Sequence, residues 1–112
     1  MVTEVLVDAG SCKFKTKITV ESRADGGLKV EIASSCEKIR KLAEALGGSL
    51  SQMEIMKQLK DNPVYVEGSA FQVCPPCPVP AAILMAAWAE AGFTLKVNPS
   101  ITFRSENKPI RS

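Results

Sequence analysis

Apolar and polar positions alternate through the first third of the chain and then change to a helical period. Val2 to Val7 is a short β-branched run closed by Asp8-Ala9-Gly10-Ser11, which predicts a strand entering a loop with Cys12 at its far edge. From Lys13 the pattern puts Phe14, Ile18 and Val20 on one face and Lys13, Lys15, Lys17, Thr19 and Glu21 on the other, as a half-buried strand requires. Asp25-Gly26-Gly27 tolerates positive φ, and Leu28, Val30 and Ile32 follow with period two, so the second and third strands are expected to form an antiparallel hairpin. The period then changes. Ser34 and Glu37 match a capping box, Ile39, Leu42, Ala43 and Leu46 carry an apolar stripe, and Gly47-Gly48 supplies the stop, which sets Cys36 in the first turn of a helix.

Ser51 and Glu54 repeat the capping box, and Leu50 with Ile55 has the spacing of a hydrophobic staple, predicting a second helix to about Lys60. Asp61-Asn62-Pro63 reads as its end and Val64-Tyr65-Val66 as a short strand. Cys74-Pro75-Pro76-Cys77-Pro78-Val79-Pro80 follows, and from Pro80 the stretch Ala81 to Ala91 is apolar on nearly every face except Glu90, the pattern of a central helix. Gly92 closes it. Phe93, Leu95 and Val97 alternate with Thr94 and Lys96, Asn98-Pro99 makes a turn, and Ile101 and Phe103 read as a last strand. The expectation is one α+β domain over residues 1–112, an antiparallel sheet with a β-hairpin and about three helices in the order β-β-β-α-α-β-α-β.

Composition narrows the chemistry. The net charge of +2 comes from 14 basic and 12 acidic residues scattered along the chain, so no strong field advertises nucleic acid or an acidic membrane. The longest apolar run, Val79 to Ala89, is interrupted by Pro80 and falls short of the roughly 20 residues of a membrane span. The start, MVTEVLVDAG, has no basic region followed by an apolar one, which predicts a protein kept in the reducing cytoplasm. Histidine is absent, which removes the usual general base near neutral pH and imidazole metal ligation. Glu37, Glu44, Glu54, Glu67 and Glu90 form no evident catalytic pair, and no phosphate-binding glycine loop is present. Cysteine is left as the main reactive side chain.

Four cysteines in a reducing compartment point to metal binding or redox catalysis. Cys74 and Cys77 have the C-x-x-C spacing that lets two sulfurs share one metal or close a small disulfide ring. Cys12 lies between two strands and Cys36 at a helix start, whereas cysteines that only fill a core are expected on the apolar faces of elements. Together Cys12, Cys36, Cys74 and Cys77 make a candidate all-thiolate site for zinc or an iron–sulfur cluster, and the spacing serves both. A helix start favours a nearby thiolate by about 0.3–1 kcal/mol. Pro75, Pro76, Pro78 and Pro80 remove amide donors, leaving the N–H groups of Cys77 and Val79 as those nearest the sulfurs. The function expected from this set is that of an electron carrier, cluster carrier or accessory factor rather than an enzyme.

Three other readings stand beside it. Cys12 and Cys36 can be packed and inert. Cys74 and Cys77 alone can serve as nucleophile and resolver of a thiol-disulfide reaction. C-P-P-C before a helix resembles the active site of thioredoxin-like oxidoreductases, but only 35 residues follow Cys77 and no tryptophan precedes Cys74, so the likeness stops at the loop. Finally, the helix Ala81 to Ala91, with Met85 and Trp88, can dock on a protein partner or on a second copy as a homodimer.

The segments G-S-C-K-F, S-S-C-E-K-I-R-K-L-A and C-P-P-C-P-V-P-A-A-I-L resemble a functionally uncharacterised family of small four-cysteine proteins of anaerobic archaea and bacteria, over nearly the whole chain. Members of that family often carry histidine where this sequence has Pro75. The resemblance implies that Cys12, Cys36, Cys74 and Cys77 act as one set in an oxygen-poor cell, where exposed clusters survive.

Overall fold

The computed structural model describes residues 2–105. β1 (Val2–Asp8), β2 (Lys15–Ser22) and β3 (Leu28–Ser34) form an antiparallel meander, with Val5 opposite Ile18, and Ile18 opposite Ile32. Period two then sends Thr3, Val5 and Val7, Thr16, Ile18 and Val20, and Leu28, Val30 and Ile32 to a single face. That face is covered by helices, while Lys15, Lys17, Lys29 and Glu31 line the other. The turn between β2 and β3 closes on Gly26, whose φ of 88° suits glycine, and on an Arg23 N–H bond to the Gly27 carbonyl (2.8 Å).

α1 (Glu37–Leu46) packs on β3 and buries Ile39 and Leu42. Its start differs from the expected capping box. Cys36 is the N-cap and supplies no side-chain bond, because Ser34 remains the last residue of β3. There the Ser34 hydroxyl meets that of Thr16 (2.8 Å) and accepts the Cys36 N–H (3.1 Å). Gly47, left-handed at φ 67°, ends the helix. Gly48 then accepts the Val30 N–H (2.9 Å), leading into β4 (Ser49–Leu50), which extends the sheet beside Leu28 and Lys29 to the order β1-β2-β3-β4.

α2 (Gln52–Ile55) opens on the expected capping box: the Ser51 hydroxyl accepts the Glu54 N–H (3.1 Å), and the Glu54 carboxylate accepts the Ser51 N–H (2.9 Å). It stops at Ile55 instead of near Lys60, because side chains take the carbonyls a longer helix would use. The Asn62 amide donates to Glu54, Ile55 and Lys57, and the Trp88 indole N–H donates to Ile55 (2.8 Å). Asn62, 1 % exposed, also accepts the Val64 N–H (3.1 Å) and so caps α3 (Pro63–Ala70). Val64-Tyr65-Val66 is therefore helical, not a strand: an Asn N-cap followed by Pro at the first helical position overrides three strand-prone residues.

α4 (Val79–Glu90) lies across β1 and β2 and buries Val79, Ile83, Ala86 and Ala87 in the core with Ile18, Val20 and Val64. Ile83, Ala86 and Ala87 are the small and branched residues that let the helix approach the sheet closely. The expected strand after Gly92 is absent among the described residues. Phe93 turns back onto Trp88, edge to face at 5.6 Å, and Leu95, Val97, Ile101 and Phe103 are exposed and outside any strand. The result is an antiparallel four-stranded sheet with four helices on one face, a mixed α+β arrangement.

Candidate functional site

The direction of α4 across the sheet decides where the C-x-x-C segment falls. At its far end Glu90 accepts the Thr3 hydroxyl (2.7 Å) and the Ser22 N–H (3.0 Å), which ties that end to the start of β1 and the end of β2. Twelve helical residues then span about 18 Å and the strand from Thr3 to Asp8 about 17 Å, so the start of α4 arrives at the opposite end of the sheet. That opposite end carries the β1–β2 loop with Cys12 and the β3–α1 junction with Cys36.

Each cysteine is placed by local chemistry. Cys12 is exposed on a loop closed by Ala9 N–H to Phe14 (3.3 Å) and Lys13 N–H to Gly10 (2.9 Å), with Gly10 and Lys13 both at positive φ (77° and 62°). Asp8 holds the base of this loop. The Lys15 ammonium bonded to it, then the Gly10 N–H, keep its carboxyl below the ordinary carboxylate range. Lys15 and Ser35 exchange two bonds of 3.2 Å, tying the exit of that loop to the Cys36 junction. Cys36 is half-buried against the core, and its carbonyl accepts the Arg40 N–H (3.0 Å) as the first bond of α1.

The Cys74-Pro75-Pro76-Cys77 turn is closed by the Cys77 N–H to the Cys74 carbonyl (2.9 Å), which leaves Cys74 exposed and Cys77 half-buried against the core. Of the two amides expected near the sulfurs, the one at Cys77 is thus spent on the turn, and the one at Val79 donates to the Cys77 sulfur. Burial pushes the Cys77 thiol up from its ordinary value. The Val79 N–H pulls it down, and the thiols of Cys12, Cys36 and Cys74 each add a repulsion that pushes it up again.

Three segments far apart in the chain therefore bring Cys12, Cys36 and Cys74 within electrostatic reach of Cys77. Reach of this kind extends farther than ligation, because Coulomb energy falls only as the inverse of distance, while zinc–sulfur bonds of about 2.3 Å put neighbouring sulfurs about 3.8 Å apart. Among the described residues, no three His, Cys, Asp or Glu side chains stand close enough as placed to hold a metal ion, and all four cysteines are free thiols. The two observations describe different ranges: the thiols lie within electrostatic reach of Cys77, and ligation requires them to draw closer than they stand.

Arg40 was not singled out by the sequence pattern. Its guanidinium donates to the Ser34 carbonyl (3.1 Å) beside the Cys36 junction, and the one signal for it was its position four residues beyond Cys36 on the same helix. Lys13 and Lys15 stand in or beside the Cys12 loop, so cations border the cysteine end of the sheet. No helix among the described residues is long and apolar enough to cross a membrane.

The model of a family of unknown function, DUF6951, matches residues 3–103. The chain belongs to this family. The match begins in β1 and ends beyond α4, so it takes in all four cysteines and the segment that follows the last helix. No curated protein and no solved structure matches the chain.

Proposed function

We propose that this DUF6951 protein binds a thiophilic metal centre, a zinc ion or an iron–sulfur cluster, through Cys12, Cys36, Cys74 and Cys77, and serves in the cytoplasm as an electron carrier, cluster carrier or accessory factor. The observation that supports this reading is the placement of four free thiols from three separate segments at one end of the sheet, where Cys12, Cys36 and Cys74 all act on the half-buried Cys77. Four thiolates formed in one place would repel one another, and a bound cation is the ordinary way to offset that repulsion.

The donor set fits the centre. Soft thiolates select zinc, copper(I) or iron–sulfur clusters over magnesium or calcium. Cys36 and Cys77 provide half-buried ligands on the ends of packed helices, and the Val79 N–H is the outer hydrogen bond that orients the Cys77 sulfur. Cys12 and Cys74, both exposed, close the site from the solvent side. The likeness of the cysteine segments to small four-cysteine proteins of anaerobes supports the same assignment.

The test is anaerobic purification followed by metal analysis and an absorption spectrum. Stoichiometric zinc, or iron with sulfide and a visible charge-transfer spectrum, is the expected result. A colourless protein free of zinc and iron, with four titratable thiols that take up neither on reconstitution, contradicts it.

One observation favours a second reading. Cys74 is exposed and Cys77 half-buried within one tight turn, the arrangement in which an outer thiolate attacks a substrate disulfide and an inner thiol resolves the mixed disulfide. In that reaction the two thiols lose two electrons to the substrate, which leaves as two thiols. Reduction of an insulin-type disulfide, abolished by Cys74→Ser and indifferent to Cys12→Ser and Cys36→Ser, selects this reading over the metal centre.

A further inference from the structure

Away from the cysteines, the sheet has an open edge among the described residues, and the segment after α4 is strand-like in sequence and unpaired there. Among the described residues β1 is the outermost strand and pairs only with β2, so its second row of backbone N–H and C=O groups has no partner strand there. Val5 and Val7, which face the helices, remain only half-buried at this edge. Such an edge is a template for strand addition.

Beyond Gly92, the residues Leu95, Val97, Ile101 and Phe103 have the period-two apolar spacing of a strand, yet all four are exposed, Leu95 at 83 % and Phe103 fully. The segment starts beside the edge it could complete: the Lys96 ammonium reaches the Val2 carbonyl (3.4 Å). Its apolar side chains then stay exposed on its own domain. The radius of gyration is 14.7 Å, against about 13 Å for a compact chain of this length.

Charge agrees with geometry. β1 carries Glu4 and Asp8 and no cation, while residues 93–104 carry Lys96 and Arg104 and no anion. Glu4 and Asp8 already meet Lys17 and Lys15 of β2, but those pairs are exposed and leave the carboxylates open to further cations. The open edge and the projecting arm reside on the same chain, so two copies can satisfy each other through one two-fold axis.

We propose that residues 100–103 of each copy, beyond the Asn98-Pro99 turn, lie along the open β1 edge of a second copy, forming a symmetric arm-exchanged homodimer. The arm adds a strand to the partner's sheet, and Ile101 and Phe103 cover the half-buried Val5 and Val7 of the partner's edge. The inference is independent of any metal at the cysteines.

Sedimentation velocity of the full reduced chain over a hundredfold range of concentration tests this, beside the double variant Ile101→Glu, Phe103→Glu. Both residues are exposed, so the variant keeps its circular dichroism and unfolding midpoint in the monomeric form. The expected result is a wild-type dimer, a monomeric variant, and outward-facing β1 amides whose hydrogen exchange slows as wild-type concentration rises. A wild-type chain that stays monomeric at every concentration, with or without protected β1 amides, overturns the proposal. So does a dimer that survives the double substitution.

Discussion

The two ends of the sheet are built differently. At one end, Glu90 ties α4 to Thr3 and Ser22 through both carboxylate oxygens, while Trp88 and Asn62 satisfy the carbonyls beneath. At the other end, three loops meet with four free thiols between them, and the bond that reaches a sulfur comes from the Val79 N–H. The first end is closed by its own hydrogen bonds. The second gathers four thiols and leaves two of them, Cys12 and Cys74, exposed. The contrast teaches that stability and chemistry are separated along α4, with the helix as the rigid bar between them.

Breaking the bar should affect both ends and cost most. Ile83 is fully buried in the middle of α4, so Ile83→Ala is expected to destabilise the fold by about 2–5 kcal/mol in urea unfolding. Breaking only the closed end should cost less. Glu90→Gln is expected to lower stability by about 1–2 kcal/mol by weakening two charge-assisted bonds, with thiol reactivity unchanged.

The pH dependence of the metal-free protein separates the ends by sign. Desolvation raises the Glu90 carboxyl, but its bonds to Thr3 and Ser22 outweigh this and hold it below the ordinary value. Its contribution is therefore complete above the pKa of the unfolded chain and fades as pH falls through the folded one. Cys77 behaves oppositely. Burial raises its thiol, so its contribution is complete below the ordinary thiol pKa and fades as pH rises through the higher folded value. Unfolding midpoints measured from pH 3 to 10 should fall at both extremes, with Glu90→Gln flattening the acid limb and Cys77→Ser the alkaline limb.

Smallest in stability is the change at the exposed tip. Cys12→Ser is expected to shift the unfolding free energy by less than about 0.5 kcal/mol. Metal retention, by contrast, should fall sharply in the same variant, and the pairing of those two results sharpens the contrast between the ends.

Much of this architecture is legible in the pattern of residues, and what is not has a physical reason. Alternation specifies β1, β2 and β3 because one face of each is buried, and the Ser51-Glu54 capping box and Gly47 mark helix ends by contacts within a few residues. Ser34 and Glu37 carry the same capping signature, but Ser34 is held in β3 by Thr16, a residue 18 positions away. β4 has two residues, too few for a period to register. Val64 to Val66 reads as a strand because the cap that makes it helical is Asn62, whose side chain also ends α2. The alternation after Gly92 is real in the sequence and unpaired among the described residues, because Asn98-Pro99 interrupts it. At the cysteines, the junction positions are legible from turns and helix starts. Their convergence depends on which way α4 crosses the sheet, and Glu90, Thr3 and Ser22 set that direction through contacts no local pattern carries.

Titration of the reduced, metal-free chain with cobalt(II) under anaerobic conditions tests most directly whether the four thiols make one centre. The account predicts one cobalt per chain, intense thiolate-to-cobalt absorption, and a weaker, altered spectrum in each of Cys12→Ser, Cys36→Ser, Cys74→Ser and Cys77→Ser. It also predicts tighter binding as pH rises, since Cys77 must give up its proton to ligate. No charge-transfer band, or one that survives loss of Cys12 and Cys36 unchanged, would contradict it.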